Sequence, residues 1–422
     1  MPAPLATRAA IARAVTRAVD GVELVDMHTH IYPPAFGPLL VWGLDELLTY
    51  HYLVAEVLRQ RPMPADRFWA MSRKEQAEFI WDQLFLQHSP LSEACSGVLT
   101  VLHVLGLDVR RRNLKALRSY FARQKVEKYV DTVFAIARMR YAVMTNNPFD
   151  DQERPVWLRA RPSDPRFKAA LRLDDILLAW PRPAGAMNEW GYRVSEALTP
   201  ASIGEVRRFL GDWIARMQAV YLAVSLPPEF TAFDQSPCAW LIRDAVVPVA
   251  RERGVPLALM IGVRKGTNPA LRLAGDSAGK ADNAVLERLC RDYPDNRFLV
   301  TYLARENQYE LCVTARKFSN LMPFGCWWFL NNPSIFAEVT RERLELLGPS
   351  FIPQHSDARV LDQLIYKWAH ARPLITAILA EKYTDLAAAG WAVSAQEIRR
   401  DVADLFGGTF ERFLASAPKR AG

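Results

Sequence analysis

Short apolar runs alternate along the chain with longer segments in which apolar residues recur every three or four positions. The short runs predict eight β-strands, at residues 23–31, 140–145, 167–173, 219–225, 256–263, 297–303, 320–326 and 350–356. The longer segments predict helices, for example at residues 204–218, 237–253, 282–293, 306–318, 333–347 and 360–383. Strands joined by crossover helices pair in parallel, and eight of them can close a barrel. The pattern therefore predicts an α/β fold, a distorted (β/α)8 TIM barrel.

The region between the first two strands is too long for one βα unit. Residues 44–128 are typical of several consecutive helices, which predicts a helical insertion after strand 1. An insertion at the C-terminal end of a barrel strand lies on the face that carries the active site. We expect residues 1–422 to form a single domain with extra C-terminal helices, and residues 150–164, rich in Pro and Arg, to form a long loop.

Composition narrows the classes of function without choosing one. Half of the 422 residues are hydrophobic and 23% are charged, so the chain can bury a large core. The net charge of +7 is spread along the sequence, and no run of arginines predicts a nucleic-acid surface. No sufficiently long apolar stretch predicts a membrane span. We therefore expect a small-molecule partner, neither nucleic acid nor a membrane, and in addition a homo-oligomer.

Cysteine usage and the N-terminal segment bear on the compartment. Five cysteines occur without a CxxC motif, which predicts a reduced, cytoplasmic protein. The N-terminal segment is rich in Ala and Arg, as transit peptides are, but its helical periodicity continues up to the first strand. We interpret this segment as an amphipathic surface helix.

A histidine pair ends the first predicted strand, in the sequence Asp26-Met27-His28-Thr29-His30. Because side chains alternate along a strand, Asp26, His28 and His30 are expected on one face. At the C-terminal end of a barrel strand, two imidazoles on that face can hold one divalent metal ion. The alternative is that both histidines are polar core residues bonded to Asp26.

An acidic residue near the last predicted strand can complete such a site. Asp357 follows residues 350–356, and strand 8 lies beside strand 1 in a closed barrel. Three protein ligands leave coordination positions for water or substrate, as a catalytic metal requires. The alternative is that Asp357 caps the helix predicted at residues 360–383.

Four motifs together resemble those of the uronate isomerases, which are metal-dependent barrels of the amidohydrolase superfamily. They are the D-x-H-x-H of residues 26–30, LDELLTYHYLVAEVLR at 44–59, FGCWWF at 324–329 and SDAR at 356–359. FGCWWF is similar to the family's GxGWWF, and SDAR is similar to its TDSR. The resemblance covers most of the chain, and the long helical insertion after strand 1 also matches the family.

The resemblance implies a role for each matching residue. One divalent metal ion, with zinc expected, would be bound by His28, His30 and Asp357. The implied catalytic residues are Asp357, Tyr52, His51 and Arg359. The implied substrate-binding residues are Arg172, Trp327, Trp328, Arg359 and His51. An arginine among them would hold the substrate carboxylate through two parallel hydrogen bonds.

Several of these residues also have a simpler interpretation. His51 and Tyr52 lie in a strongly apolar predicted helix, where packing roles are common. The two tryptophans are compatible with ordinary core positions. Arg172 could form an ion pair with one of the two aspartates that follow it closely. Arg264 and Lys265, after strand 5, could bind an anion or belong to a solvated loop.

The implied reaction is aldose–ketose isomerisation, which interconverts D-glucuronate and D-fructuronate, or D-galacturonate and D-tagaturonate. A proton moves from C2 to C1, and Asp357, a hydroxide at the metal and an ionised Tyr52 are alternative bases. Cys326, Asn331 and Ala358 depart from the family pattern, while the absence of histidine from strands 4 to 6 favours a single metal ion. The alternatives are a hydrolase or decarboxylase of the same superfamily, or a non-catalytic sugar-acid-binding barrel.

Overall fold

Helices surround a curved parallel sheet in the computed structural model, which describes residues 5, 7–159 and 164–416. The strands are β1 Leu24–Thr29, β2 Met139–Asn146, β3 Phe167–Arg172, β4 Leu222–Leu226, β5 Leu257–Ile261, β6 Val263–Arg264, β7 Ser277–Ala278, β8 Phe298–Tyr302 and β9 Leu321–Pro323. The α-helices are α1 Arg8–Gly21, α2 Leu44–Leu48, α3 His51–Gln60, α4 Ala65–Trp69, α5 Arg73–Trp81, α6 Glu93–Val104, α7 Leu114–Phe121, α8 Val126–Ala137, α9 Glu153–Arg159, α10 Asp174–Leu178, α11 Arg182–Glu189, α12 Pro200–Met217, α13 Pro237–Leu241, α14 Val247–Arg253, α15 Asn283–Asp292, α16 Gln308–Ala315, α17 Pro333–Leu347, α18 Gln363–Ala388, α19 Ala395–Ala403 and α20 Thr409–Ala415.

The seven strands β1, β2, β3, β4, β5, β8 and β9 form one sheet in this order, and every neighbouring pair is parallel. β6 and β7 form a separate hairpin. Residues 351–358 form an eighth segment, which closes the barrel. On one side the Gly325 N–H donates to the Ile352 carbonyl at 2.7 Å, and on the other the His30 N–H donates to the Ala358 carbonyl at 2.7 Å. The predicted (β/α)8 fold class is confirmed.

The eighth segment is irregular, so the prediction of a regular strand at residues 350–356 is wrong. Its ladder pairing with the end of β9 is confined to a bridge between Phe324 and Ile352. Pro353 follows at once and has no N–H to donate, which prevents a continuous ladder. The segment is nevertheless buried, and it brings Asp357 beside β1, where the Asp357 N–H donates to the His28 carbonyl at 3.2 Å.

Two apolar cores lie on the two faces of the sheet. The larger core fills the layer between the sheet and the helices, and the smaller core fills the inside of the barrel. Phe410 and Phe413 of α20 belong to the inner core. Arg297, just before β8, donates to the Phe413 carbonyl, so α20 closes the N-terminal end of the barrel. The inside of the barrel therefore opens at the opposite end, where the strands terminate.

The long connection between β1 and β2 carries helices α2 to α8, as expected of a helical insertion. The N-terminal segment forms α1, whose apolar side is buried, in agreement with the predicted surface helix. The prediction of a loop at residues 150–164 is wrong for α9, while residues 160–163 lie outside the described residues. The Asp150 side chain accepts from the backbone N–H groups of Gln152 and Glu153 and starts α9, and Pro155 is tolerated in a first helical turn. Among the described residues, no helix combines the length and apolar character needed to cross a bilayer.

Candidate active site and metal centre

β1 contains a bulge at the histidine pair. The three steps from Asp26 to Thr29 match only two steps along β2, so one extra residue interrupts the alternation of faces. Met27 joins the core inside the barrel. His28 also faces inward, because its Nδ1 lies 3.3 Å from the hydroxyl of Tyr221, another residue of the inner core. The bulge thus aims His28 into the barrel.

Asp26 faces the helical layer, so the prediction that it shares a face with His28 is wrong. Its carboxylate accepts from the Ser356 N–H at 3.1 and 3.2 Å and from the Trp368 indole N–H, on α18, at 2.9 Å. Burial raises the pKa of Asp26, and these donors offset only part of the effect. Asp26 therefore ties β1 to the eighth segment and to α18.

The two imidazoles and Asp357 converge on one point at the open end of the barrel. His28 Nε2 lies 3.5 Å from Asp357 Oδ1, and His30 Nε2 lies 3.2 Å from the same oxygen. Each of the three residues offers one atom that could bind a metal ion, and these atoms lie within 4.8 Å of one another. Asp357 Oδ1 is buried and has no aligned hydrogen bond from any described residue. Two imidazole nitrogens that surround one orphaned carboxylate oxygen fit the ligand set of a divalent metal ion.

The protonation states of the group suit metal binding. Burial lowers the pKa of His30 to about 3, with a further contribution from the Arg359 guanidinium, so its imidazole is neutral. Burial alone would raise the pKa of Asp357, but the adjacent imidazoles hold it well below its ordinary value. Metal ligands must be deprotonated, and both groups meet this requirement at neutral pH. Asp357 has a φ of 50°, a left-handed conformation that Asp tolerates better than most residues.

Helix α3 places His51 at the cavity. Leu53, Val54 and Val57 anchor the buried side of this helix. The start of the insertion is fixed by the Gly43 N–H, which donates to the Asp362 carboxylate at 2.7 Å. Burial lowers the pKa of His51 to about 3, and neither of its ring nitrogens contacts a hydrogen-bonding partner among the described residues. His51 is therefore neutral, with both nitrogens free to meet a ligand.

Tyr52 lies beside His51, with ring centroids 4.5 Å apart, but it lines a neighbouring pocket of about 410 Å³. Its ring stacks 6.5 Å from that of Trp328. Burial raises the pKa of Tyr52 well above its ordinary value. The phenol is thus neutral at physiological pH, which argues against an ionised Tyr52 as the base.

The group of His28, His30 and Asp357 opens into a cavity of about 190 Å³. Three cationic side chains lie in its wall, those of Arg172, Lys265 and Arg359. Arg172 Nη2 also forms an ion pair with Asp174 Oδ1 at 2.8 Å, so the simpler interpretation of Arg172 holds as well. Arg359 Nε is buried without an acceptor in the described part of the chain. A cavity with cations and one orphaned guanidinium N–H suits an anionic ligand.

Trp327 and Trp328 form an apolar wall of the same cavity. Both are also buried members of the inner core, so the core and pocket interpretations apply together. Gly325, in the same motif, has a φ of 62°, and a Cβ there would lie 1.7 Å from the His355 ring. The glycine is required both by its conformation and by this close approach.

Sequence reasoning missed several residues near the site. His355 is buried 5.4 Å from the His28 ring, and Asp276, in the connection between β5 and β8, lines the cavity. Glu153 lines the outer part of the opening, and burial raises its pKa to about 7. The signal for Asp276 was weak because nothing in its sequence context separates it from a surface loop. Glu153 was missed because α9 was predicted to be a loop.

The fold and the site together define a (β/α)8 barrel with a candidate mononuclear metal centre. No protein-family model matches the chain, and no curated protein matches it. A uronate isomerase from Bacillus halodurans is similar over 98% of each chain, with 54% identity and a TM-score of 0.96. A uronate isomerase from Thermotoga maritima (13% identity, 96% and 97% coverage, TM-score 0.79) and a glucuronate isomerase from Caulobacter crescentus (15%, 98% and 96%, 0.78) share the fold. The chain belongs to the uronate isomerase family, as its motifs predicted.

Proposed function

We propose that this protein is a uronate isomerase that interconverts D-glucuronate and D-fructuronate, or D-galacturonate and D-tagaturonate. The observation that carries the proposal is the cavity in which the His28, His30 and Asp357 group lies beside arginines. The similarity to the Bacillus halodurans uronate isomerase, over 98% of both chains, supports the same reaction.

The ligand group would hold one divalent ion, which we take to be zinc. Two histidines and one aspartate are a common set for a catalytic zinc site with open positions. When bound, the ion supplies positive charge beside the sugar oxygens that become negative during the reaction.

Arg359 and Arg172 hold the carboxylate of the open-chain sugar acid in this proposal. Arg359 has an unused Nε–H that can donate to an anion, and Arg172 keeps its other nitrogens available beside its Asp174 pair. A guanidinium grips a carboxylate through two parallel hydrogen bonds, which also fixes the orientation of the sugar chain. Trp327 and Trp328 exclude water on the other side.

His51 carries the proton between C2 and C1. Its neutral ring faces the cavity with both nitrogens unpartnered, counting the described residues. An anionic substrate raises the pKa of a nearby imidazole, which makes His51 a better base once the sugar is bound. The proton taken from C2 returns to C1, and the O2 hydroxyl proton passes to O1, so nothing is gained or lost. The neutral Tyr52 ring packs edge to face against His51 and supports its position.

The test is turnover of the zinc-loaded protein with D-glucuronate and with D-galacturonate, followed by NMR. We expect signals of the 2-keto sugar acid to appear with no release of carbon dioxide. D-Glucose, an aldose without the carboxylate, is the matched control and should not react. Failure to form either ketose, or formation of carbon dioxide, would overturn the proposal in favour of another reaction of the barrel.

A further inference from the structure

The inner nitrogen of His28 lies between two hydroxyl groups on the inside of the barrel. His28 Nδ1 is 3.3 Å from the Tyr221 hydroxyl and 3.4 Å from Thr145 Oγ1. All three side chains are buried, and Tyr221 is 0% exposed. Because bulk water does not reach Nδ1, its hydrogen-bonding partners must be these two hydroxyl groups.

Both hydroxyl hydrogens are already used elsewhere. Tyr221 donates to the Met27 carbonyl at 2.6 Å, and Thr145 donates to the Thr29 carbonyl at 3.0 Å. A hydroxyl has one hydrogen, so each group offers only lone pairs to His28. A lone pair on Nδ1 would face two lone pairs. Nδ1 must then carry a hydrogen, and Nε2 must present the lone pair.

We propose that Tyr221 and Thr145 are positioning residues that lock His28 in its Nδ1–H form, so that Nε2 is ready to bind the metal ion. The carbonyls that hold the two hydroxyls belong to β1 itself, on either side of His28. The same contacts therefore fix the position of the bulged strand and the tautomer of its ring. The inference needs the metal centre but not the identity of the sugar.

The alternative tautomer would compete with the metal. With the hydrogen on Nε2, that nitrogen has no lone pair for a cation, and its N–H would lie 3.5 Å from Asp357 Oδ1 without aligning as a hydrogen bond. Metal binding would first have to move the hydrogen to Nδ1. Partners that fix the tautomer of a metal-binding histidine typically change affinity by about 10- to 100-fold.

The direct test is a long-range ¹H–¹⁵N correlation spectrum of the metal-free protein labelled in its histidines. Assignment of the His28 signals by a His28→Asn variant identifies which ring nitrogen carries the hydrogen. We expect Nδ1 to be protonated in the unsubstituted protein, where no folding defect can intervene. A protonated Nε2 in this spectrum overturns the proposal whether or not the protein isomerises uronates.

The second measurement uses Tyr221→Phe, Thr145→Val and the double variant. We expect zinc dissociation constants, measured by chelator competition, to rise by about 10- to 100-fold in the double variant, with the hydrogen moving to Nε2. Tyr141→Phe and Thr301→Val are matched controls, because Tyr141 bonds to Glu411 and Thr301 Oγ1 has no partner among the described residues. If the double variant folds and keeps the parent's tautomer and zinc affinity, the proposal is wrong.

Discussion

Buried polar side chains on the two sides of β1 differ in whether they have hydrogen-bonding partners. On the side of the helices, the buried Asp26 carboxylate accepts hydrogen bonds from Ser356 and Trp368. On the cavity side, buried side-chain atoms lack partners among the residues that the structure describes, and these are Asp357 Oδ1, Arg359 Nε, Trp328 Nε1 and both ring nitrogens of His51 and of His355. Each such atom costs about 1–3 kcal/mol when buried alone. Seven such atoms lie near this one cavity, where a ligand can supply partners, while others, such as Gln76 Oε1 and Thr340 Oγ1, lie elsewhere among the described residues.

Asp357→Asn should have the largest effect on the cavity side. Asn tolerates the left-handed backbone at this position and nearly preserves the volume, but it removes the negative charge between the two imidazoles. We expect turnover of uronates to fall by at least about a thousandfold, together with loss of tightly bound zinc. A variant that binds zinc and isomerises uronates like the parent would remove Asp357 from the site.

Asp26→Ala, on the side of the helices, should lower the free energy of unfolding. The substitution leaves the N–H groups of Ser356 and Trp368 buried without an acceptor. We expect the free energy of unfolding to fall by about 3 kcal/mol in urea titrations of the metal-free protein. Asp385→Ala, at an exposed position of α18, is the control and should change it by less than about 0.5 kcal/mol. Equal stability of the two variants would contradict the structural role of Asp26.

The contrast also shows what the sequence could predict. The order of strands and helices followed from apolar periodicity, and the convergence of the histidine pair with Asp357 followed from the adjacency of first and last strands in a barrel. The direction of Asp26 could not be predicted, because a one-residue bulge reverses the alternation and leaves no mark in composition. Glu153 and Asp276 were missed because their positions depend on how loops far apart in the sequence meet over the cavity.

Glu153 lines the opening of the cavity, but its carboxylate, unlike that of Asp357, accepts several hydrogen bonds. Its carboxylate accepts from Asn146 at 2.6 Å, Asn147 N–H at 3.0 Å, and the side chains of Trp157 and Tyr32 at 3.1 Å each. By the number of its partners it belongs with Asp26 and not with Asp357. We therefore expect its substitution to affect stability more than turnover.

The smallest predicted effect is the pH dependence of the free energy of unfolding that arises from Glu153. Burial raises the pKa of Glu153 to about 7 in the folded protein, above its ordinary value in the unfolded chain. The folded state therefore binds the proton more tightly, and stability falls as pH rises between these two values. Comparing Glu153→Gln with the parent from pH 5 to 8, we expect the parent's stability relative to the variant to decline by about 2 kcal/mol. Glu127→Gln, at an exposed position of α8, should show no such slope, and a pH-independent difference for Glu153→Gln would mean that burial does not control this carboxyl.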